Sequence, residues 1–211
     1  FHICRAHDAR NRRHHMKHRV QTHLVNAVAC LLLASCASVP TATRIAQATP
    51  QLQADVPHLH IPRAGLLTGG QPATGAWRDL RAAGVTRVVS LLPASELGGR
   101  DEAAEVRASG MDYVEIDVAS TNDLTAGKAQ LLWQALQGDK GTVLVHCASG
   151  NRAGALLALA ARQEGGMAPE ASLALGKAAG LTRLEPAVRE RLGLPTLARD
   201  ASRCPSGAPN C

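Results

Sequence analysis

The stretch that most constrains this chain runs Thr142-Val143-Leu144-Val145-His146-Cys147-Ala148-Ser149-Gly150-Asn151-Arg152-Ala153-Gly154. An apolar strand-like run meets a short glycine-containing loop and passes at once into a helix-like run that continues to Arg162. Further strand-like runs at 65–68, 88–92 and 113–118 alternate with helical runs at 76–83, 101–109 and 125–136. Three more helices are expected at 152–163, 169–179 and 185–192. This alternation predicts an α/β fold with a central, mostly parallel sheet flanked by helices. In open sheets of this kind ligands bind beyond the carboxyl ends of the strands, and Cys147 follows the strongest strand at that end.

The chemistry of the loop follows from its backbone. The first N–H groups of a helix have no carbonyl partners and point outward, so the turn from strand to helix makes an anion cradle. A free thiol has a pKa of about 8.5, which falls to roughly 3.5–7.5 at a helix N-terminus beside cations. Cys147 is therefore the expected nucleophile. Arg152 would close over the same anion with its planar fork of donors. His146, Ala148, Ser149, Gly150, Asn151 and Ala153 are the expected substrate-binding frame, with the His146 ring also fixing the loop backbone from the strand end and helping to lower the thiol pKa.

His-Cys-x-x-Gly-x-Arg between a hydrophobic strand and a small-residue helix resembles the loop of cysteine-dependent phosphatases and rhodaneses. The wider pattern also carries Leu67-Thr68-Gly69-Gly70-Gln71-Pro72, Gly84-Val85, Val88-Val89-Ser90-Leu91-Leu92, Glu96, Gly110-Met111-Asp112-Tyr113 and Gly180-Leu181. Over about residues 57–193 it resembles the bacterial DUF442 group, a dual-specificity-phosphatase-like domain also known as beta-lactamase-hydrolase-like. The resemblance implies a three-layer α/β/α domain that cleaves phosphate esters through a cysteinyl-phosphate. Sulfur transfer through a Cys147 persulfide, or anion binding without turnover, are the alternatives, and no cofactor or metal is implied. Four residues separate Cys147 from Arg152, the rhodanese spacing, where tyrosine phosphatases have five. Ala153 stands where phosphatases tend to place Ser or Thr.

Phosphatases of this type also use an aspartate from a separate loop to protonate the leaving oxygen. Asp117 stands 30 residues before Cys147 but inside an alternating strand-like run. Asp123 lies in the polar loop 119–123 and is the preferred acid, with capping of the following helix as its structural alternative. Glu96 and Arg100, in the loop after Leu92, are candidate substrate contacts or simply solvated charges. Gly69-Gly70-Gln71-Pro72 reads as a tight strand-to-helix turn, and Trp77 and Trp133 as core.

The formal charge of +6 is unevenly placed. Six of the 23 basic residues but only one of the 17 acids precede Cys36, so the remainder is nearly neutral and gives no support for nucleic-acid binding. Residues 1–35 read as an upstream extension followed, from Met16, by a signal peptide with a basic start and an apolar run at 24–33. Leu33-Ala34-Ser35-Cys36 resembles a lipobox, which implies acylation of Cys36 and a lipid-anchored periplasmic protein, with Ala37 favouring the outer membrane. A plain cleaved signal peptide is the alternative.

Residues 36–56, rich in Ala, Thr, Pro and Gln, read as a tether, and 194–211 as a loose tail. Cys204 and Cys211 are a candidate disulfide in an oxidising compartment, which leaves Cys147 as the unassigned thiol. The early histidines, and His58 with His60, show no metal-ligand spacing.

Overall fold

The computed structural model describes residues 41–138 and 141–195; Cys36, Cys204 and Cys211, and with them the expected anchor and disulfide, lie outside the described residues. Helix α1 (Thr41–Asp55) leads into strands β1 (His60–Arg63) and β2 (Leu66–Gly69). The chain continues through α2 (Ala76–Ala83), β3 (Val85–Ser90), α3 (Glu102–Ala108), β4 (Asp112–Glu115), α4 (Ala126–Leu136) and β5 (Thr142–His146). Three helices close it, α5 (Asn151–Gln163), α6 (Pro169–Ala178) and α7 (Glu185–Leu192). The five strands form one sheet in the order β1-β2-β5-β3-β4, parallel throughout except for the β1–β2 pair at one edge.

β5 sits at the centre and is buried along its whole length, which is why it reads as a continuous apolar run rather than an alternating one. Successive residues of a strand point to opposite faces. Val143 and Val145 join the cluster formed with Leu132 of α4 and Leu156, Leu157 and Leu159 of α5. Leu144 faces the other way, with Trp77 and Leu80 of α2 and Val106 of α3. Helices thus cover both faces, the three-layer arrangement expected from the sequence.

The stretch 41–55, read above as tether, is instead a helix packed on the second face. Ile45, Leu52 and Val56 recur at helical spacing and are buried, whereas the other side of the helix is exposed Gln, Thr and Arg. The composition hides this stripe because few residues in it are large, and Pro50 lies inside the helix. Leu52 is 0 % exposed. Replacing it with Ala should lower unfolding free energy by about 2–5 kcal/mol, measured by urea denaturation. A tether would tolerate the change with a loss below about 0.5 kcal/mol.

Candidate active site

Cys147 stands one residue beyond the end of β5 and is 1 % exposed. Its N–H donates to the Gly69 carbonyl at 3.2 Å, which continues the β2–β5 ladder past the strand end. The loop after it is then shaped by two glycines. Gly150 adopts φ +83°, a left-handed conformation that L side chains rarely take, and it caps α5. Gly70 bridges to Ser149, and a Cβ there would lie 2.9 Å from the Ala148 carbonyl oxygen. The Gly69-Gly70 pair is therefore more than a turn: it lets the backbone of β2 approach the cysteine loop and form its floor.

The first bond of the α5 ladder runs from the Gly154 N–H to the Gly150 carbonyl at 2.9 Å. The amides of Asn151, Arg152 and Ala153 precede it, so the helix offers them no carbonyl partner. Ala148 is exposed and Ser149 half-buried, which leaves the rim of the loop open. Asn151 is turned inward instead. Its Oδ1 accepts from the Thr182 N–H (2.9 Å), the Thr182 hydroxyl (3.2 Å) and the Leu184 N–H (3.3 Å), tying the loop to the segment before α7. The Ala153 side chain is buried in the core, so its contribution to anion binding is confined to its N–H.

Arg152 leans back over the loop. Its Nη1 and Nη2 donate to the two carboxylate oxygens of Glu96 at 2.9 and 2.6 Å, and Nη1 also donates to the Val118 carbonyl at 2.6 Å. The Glu96 bond and the nearby Cys147 sulfur hold the guanidinium in its charged form, outweighing partial burial, and Arg152 in turn lowers the Glu96 pKa. Glu96 is thus an orienting partner of the clamp. Arg100, its companion in the same loop, is taken up elsewhere: it pairs with Glu105 at 2.6 Å, donates to the Pro72 carbonyl at 2.9 Å and lies over Trp77.

His146 does not line the loop. Strand alternation sends its ring to the face opposite Cys147, where it is 0 % exposed beside Trp77, so the expectation that it contacts substrate is corrected. Its Nε2 lies 3.2 Å from Oε2 of Glu102, also 0 % exposed, but off the line that a hydrogen bond requires. Gln71 Nε2 and the Tyr113 hydroxyl donate to the same carboxylate, each at 3.2 Å. Burial pushes the Glu102 carboxyl up, but His146, Gln71 and Ser90 outweigh it and hold the pKa at about 2. Sequence reasoning missed this residue, because a Glu in the first turn of a helix ordinarily serves the dipole from the surface.

Of the two candidate acids, Asp123 serves as a cap. Its carboxylate accepts from the Ser120 N–H at 2.9 Å, closing a capping box over the short turn Thr121–Asp123, and it pairs with Lys128 at 2.9 Å. Lys128 and Ser120 hold its pKa at about 2, so at neutral pH it carries no proton to donate in this arrangement. The contacts stabilise the loop above the ordinary carboxylate range and are lost as the pH falls toward about 2. Asp117 is exposed one residue before Val118, and its own carbonyl is held by Lys128.

A central parallel strand, a glycine-bent loop bearing a buried cysteine, and an arginine in the first turn of the following helix define the class: a cysteine-phosphatase-like fold. A DUF442 protein from Shewanella putrefaciens CN-32, proposed to be a phosphatase, superposes with a TM-score of 0.55 at 26 % identity, covering 68 % of this chain and 95 % of that one. A proposed phosphatase from Neisseria meningitidis shares the fold, with a TM-score of 0.52 and 20 % identity over 63 % of this chain and 94 % of that one. A beta-lactamase hydrolase-like protein of Xylella fastidiosa is 34 % identical over 119 residues, which are 54 % of this chain. The chain spans only 27 % of the length of that relative. No protein-family model matches the chain. Together these findings show a cysteine-phosphatase-like fold, similar to that of a DUF442 protein, in a chain that resembles a beta-lactamase hydrolase-like protein over about half its length.

Proposed function

We propose that this protein is a cysteine-dependent phosphatase acting on phosphate esters. The observation that carries the reading is the placement of Cys147 at the foot of the loop with Arg152 drawn over the same loop by Glu96 and Val118. The Cys147 sulfur attacks phosphorus in line, the bond to the ester oxygen breaks, and the departing oxygen takes a proton. The loop amides and Arg152 hold the phosphoryl oxygens as their charge redistributes. Water then attacks the cysteinyl-phosphate, releasing phosphate and restoring the thiolate.

Asp117 and Asp123 remain the residues proposed to supply the proton. Asp123 does so only after leaving Lys128.

A second reading, sulfur transfer through a Cys147 persulfide, is favoured by the four-residue spacing to Arg152 and by the engagement of Asp123, since that reaction needs no acid for an alkoxide. Parallel assays separate the two. With an aryl phosphate, the protein is expected to release the phenol with saturation kinetics and a burst equal to the enzyme. With thiosulfate and cyanide, it is expected to give no thiocyanate above background. The opposite pair of results would replace phosphate chemistry with sulfur transfer.

The lipobox-like Leu33-Ala34-Ser35-Cys36 supports a further proposal, that the domain is tethered to a periplasmic membrane face by acylated Cys36. Metabolic labelling with a radioactive fatty acid should mark the protein and leave a Cys36→Ala variant unlabelled.

A further inference from the structure

Behind the reactive loop, on the sheet face opposite Cys147, lies a buried set of polar side chains that the phosphoryl-transfer steps do not use. At its centre are Glu102 and His146, both 0 % exposed, with Nε2 and Oε2 3.2 Å apart. Gln71 and Tyr113 each donate to one oxygen of the carboxylate, and Trp77 lies tilted against the imidazole, ring centres 6.4 Å apart. Burying a charged carboxylate is strongly unfavourable unless it is partnered, and here Gln71 and Tyr113 offset that cost. The His146 main chain is pinned on both sides, by its register with Gly69 of β2 and by the Leu91 N–H donating to its carbonyl at 2.8 Å. The imidazole and the Cys147 peptide thus hang from one held strand end, so a displaced ring strains the backbone from which the reactive loop departs.

We propose that Glu102 is a positioning residue for the reaction: held by Gln71 and Tyr113, its carboxylate packs 3.2 Å from the His146 imidazole, limits where that ring can lie and so, through the β5 end, bears on the attack geometry of the Cys147 sulfur. The inference rests on Cys147 being the nucleophile. It adds that the layer formed by α2 and α3 sets the rate rather than the affinity. Misplacing a reacting atom by about 1 Å costs on the order of 100-fold in rate, so a modest shift of the loop is enough to be measured.

The test is a double-mutant cycle of Glu102→Gln and His146→Asn. Two readouts are used: aryl-phosphate turnover, and the rate at which iodoacetamide alkylates Cys147, which needs no substrate. Glu102→Gln is expected to lower kcat about 10-fold to 100-fold, with KM changed less than about twofold, and to slow alkylation in parallel. In the His146→Asn background the same change should add nothing, because the path through the imidazole is already cut.

Equal losses in both backgrounds would overturn the proposal, as would a fall in melting temperature with kcat and alkylation unchanged. Tyr113→Phe, which removes one donor from the carboxylate and keeps the ring, guards against loss of fold. It is expected to give a smaller drop in kcat, again only when His146 is present. If no phosphate ester is turned over, the alkylation arm still decides whether Glu102 acts on Cys147, so failure of the phosphatase reading is distinguishable from failure of this one.

Discussion

Replacing Cys147 with Ser is expected to abolish phosphate-ester hydrolysis, lowering kcat by about 10⁴-fold or more, while leaving the affinity for inorganic phosphate or tungstate nearly unchanged. The two halves of this outcome come from different parts of the loop. The nucleophile is one atom, and a hydroxyl in its place is far less nucleophilic without a base beside it. Neither ring nitrogen of His146 can serve as that base, since the imidazole lies on the other face of the sheet. The proposed anion site is the set of amides that precede the Gly154-to-Gly150 bond together with Arg152, none of which the substitution touches. Titration calorimetry with tungstate, set beside steady-state turnover, reads both. Turnover near the original rate in the serine variant would remove Cys147 from the mechanism.

Arg152→Lys should be nearly as damaging, with kcat/KM reduced by about 10²-fold to 10³-fold and phosphate affinity weakened with it. The charge is preserved, so the loss measures geometry. Arg152 uses both terminal nitrogens on Glu96 and one of them again on the Val118 carbonyl, which fixes the plane of the guanidinium relative to the loop. An ammonium group is a compact point charge that cannot span two carboxylate oxygens and hold that plane. Arg152→Ala should be worse still, because Glu96 would then face the cradle uncompensated and repel the incoming anion. A double variant that also carries Glu96→Gln should recover part of that additional loss. Equal activity in the single and double alanine variants would show that Glu96 does not sense the site.

The strand, loop and helix around Cys147 were legible because each local preference agrees with the fold: an apolar run for a fully buried strand, glycine where the backbone turns left-handed, small residues for a helix packed on all sides. α2 and α7 likewise lie where the helical runs 76–83 and 185–192 placed them, and Gly84 and Gly193 end them in left-handed conformations. Helix α1 was hidden because its buried stripe is sparse and interrupted in composition by Thr, Gln and Pro.

The side-chain partnerships were hidden for a different reason. Glu96 and Arg152 stand 56 residues apart and meet only because the loops after β3 and β5 emerge side by side from the sheet. Glu102 looked like any acid in a first helical turn, and its inward orientation depends on where α3 lies against the sheet, which periodicity does not reveal. His146 was read as part of the loop although its parity along β5 already sends it across the sheet. Counting alternation outward from Val145 would have found this.

Two consecutive side chains that look out of opposite sides of one sheet divide labour between neighbours in the chain. Evolution can retouch speed from the rear wall without reshaping the doorway through which ligands come, and can remodel the doorway without disturbing the rear wall. Relatives with very different preferences could then share one engine, and proteins with the same preference could run it at different paces.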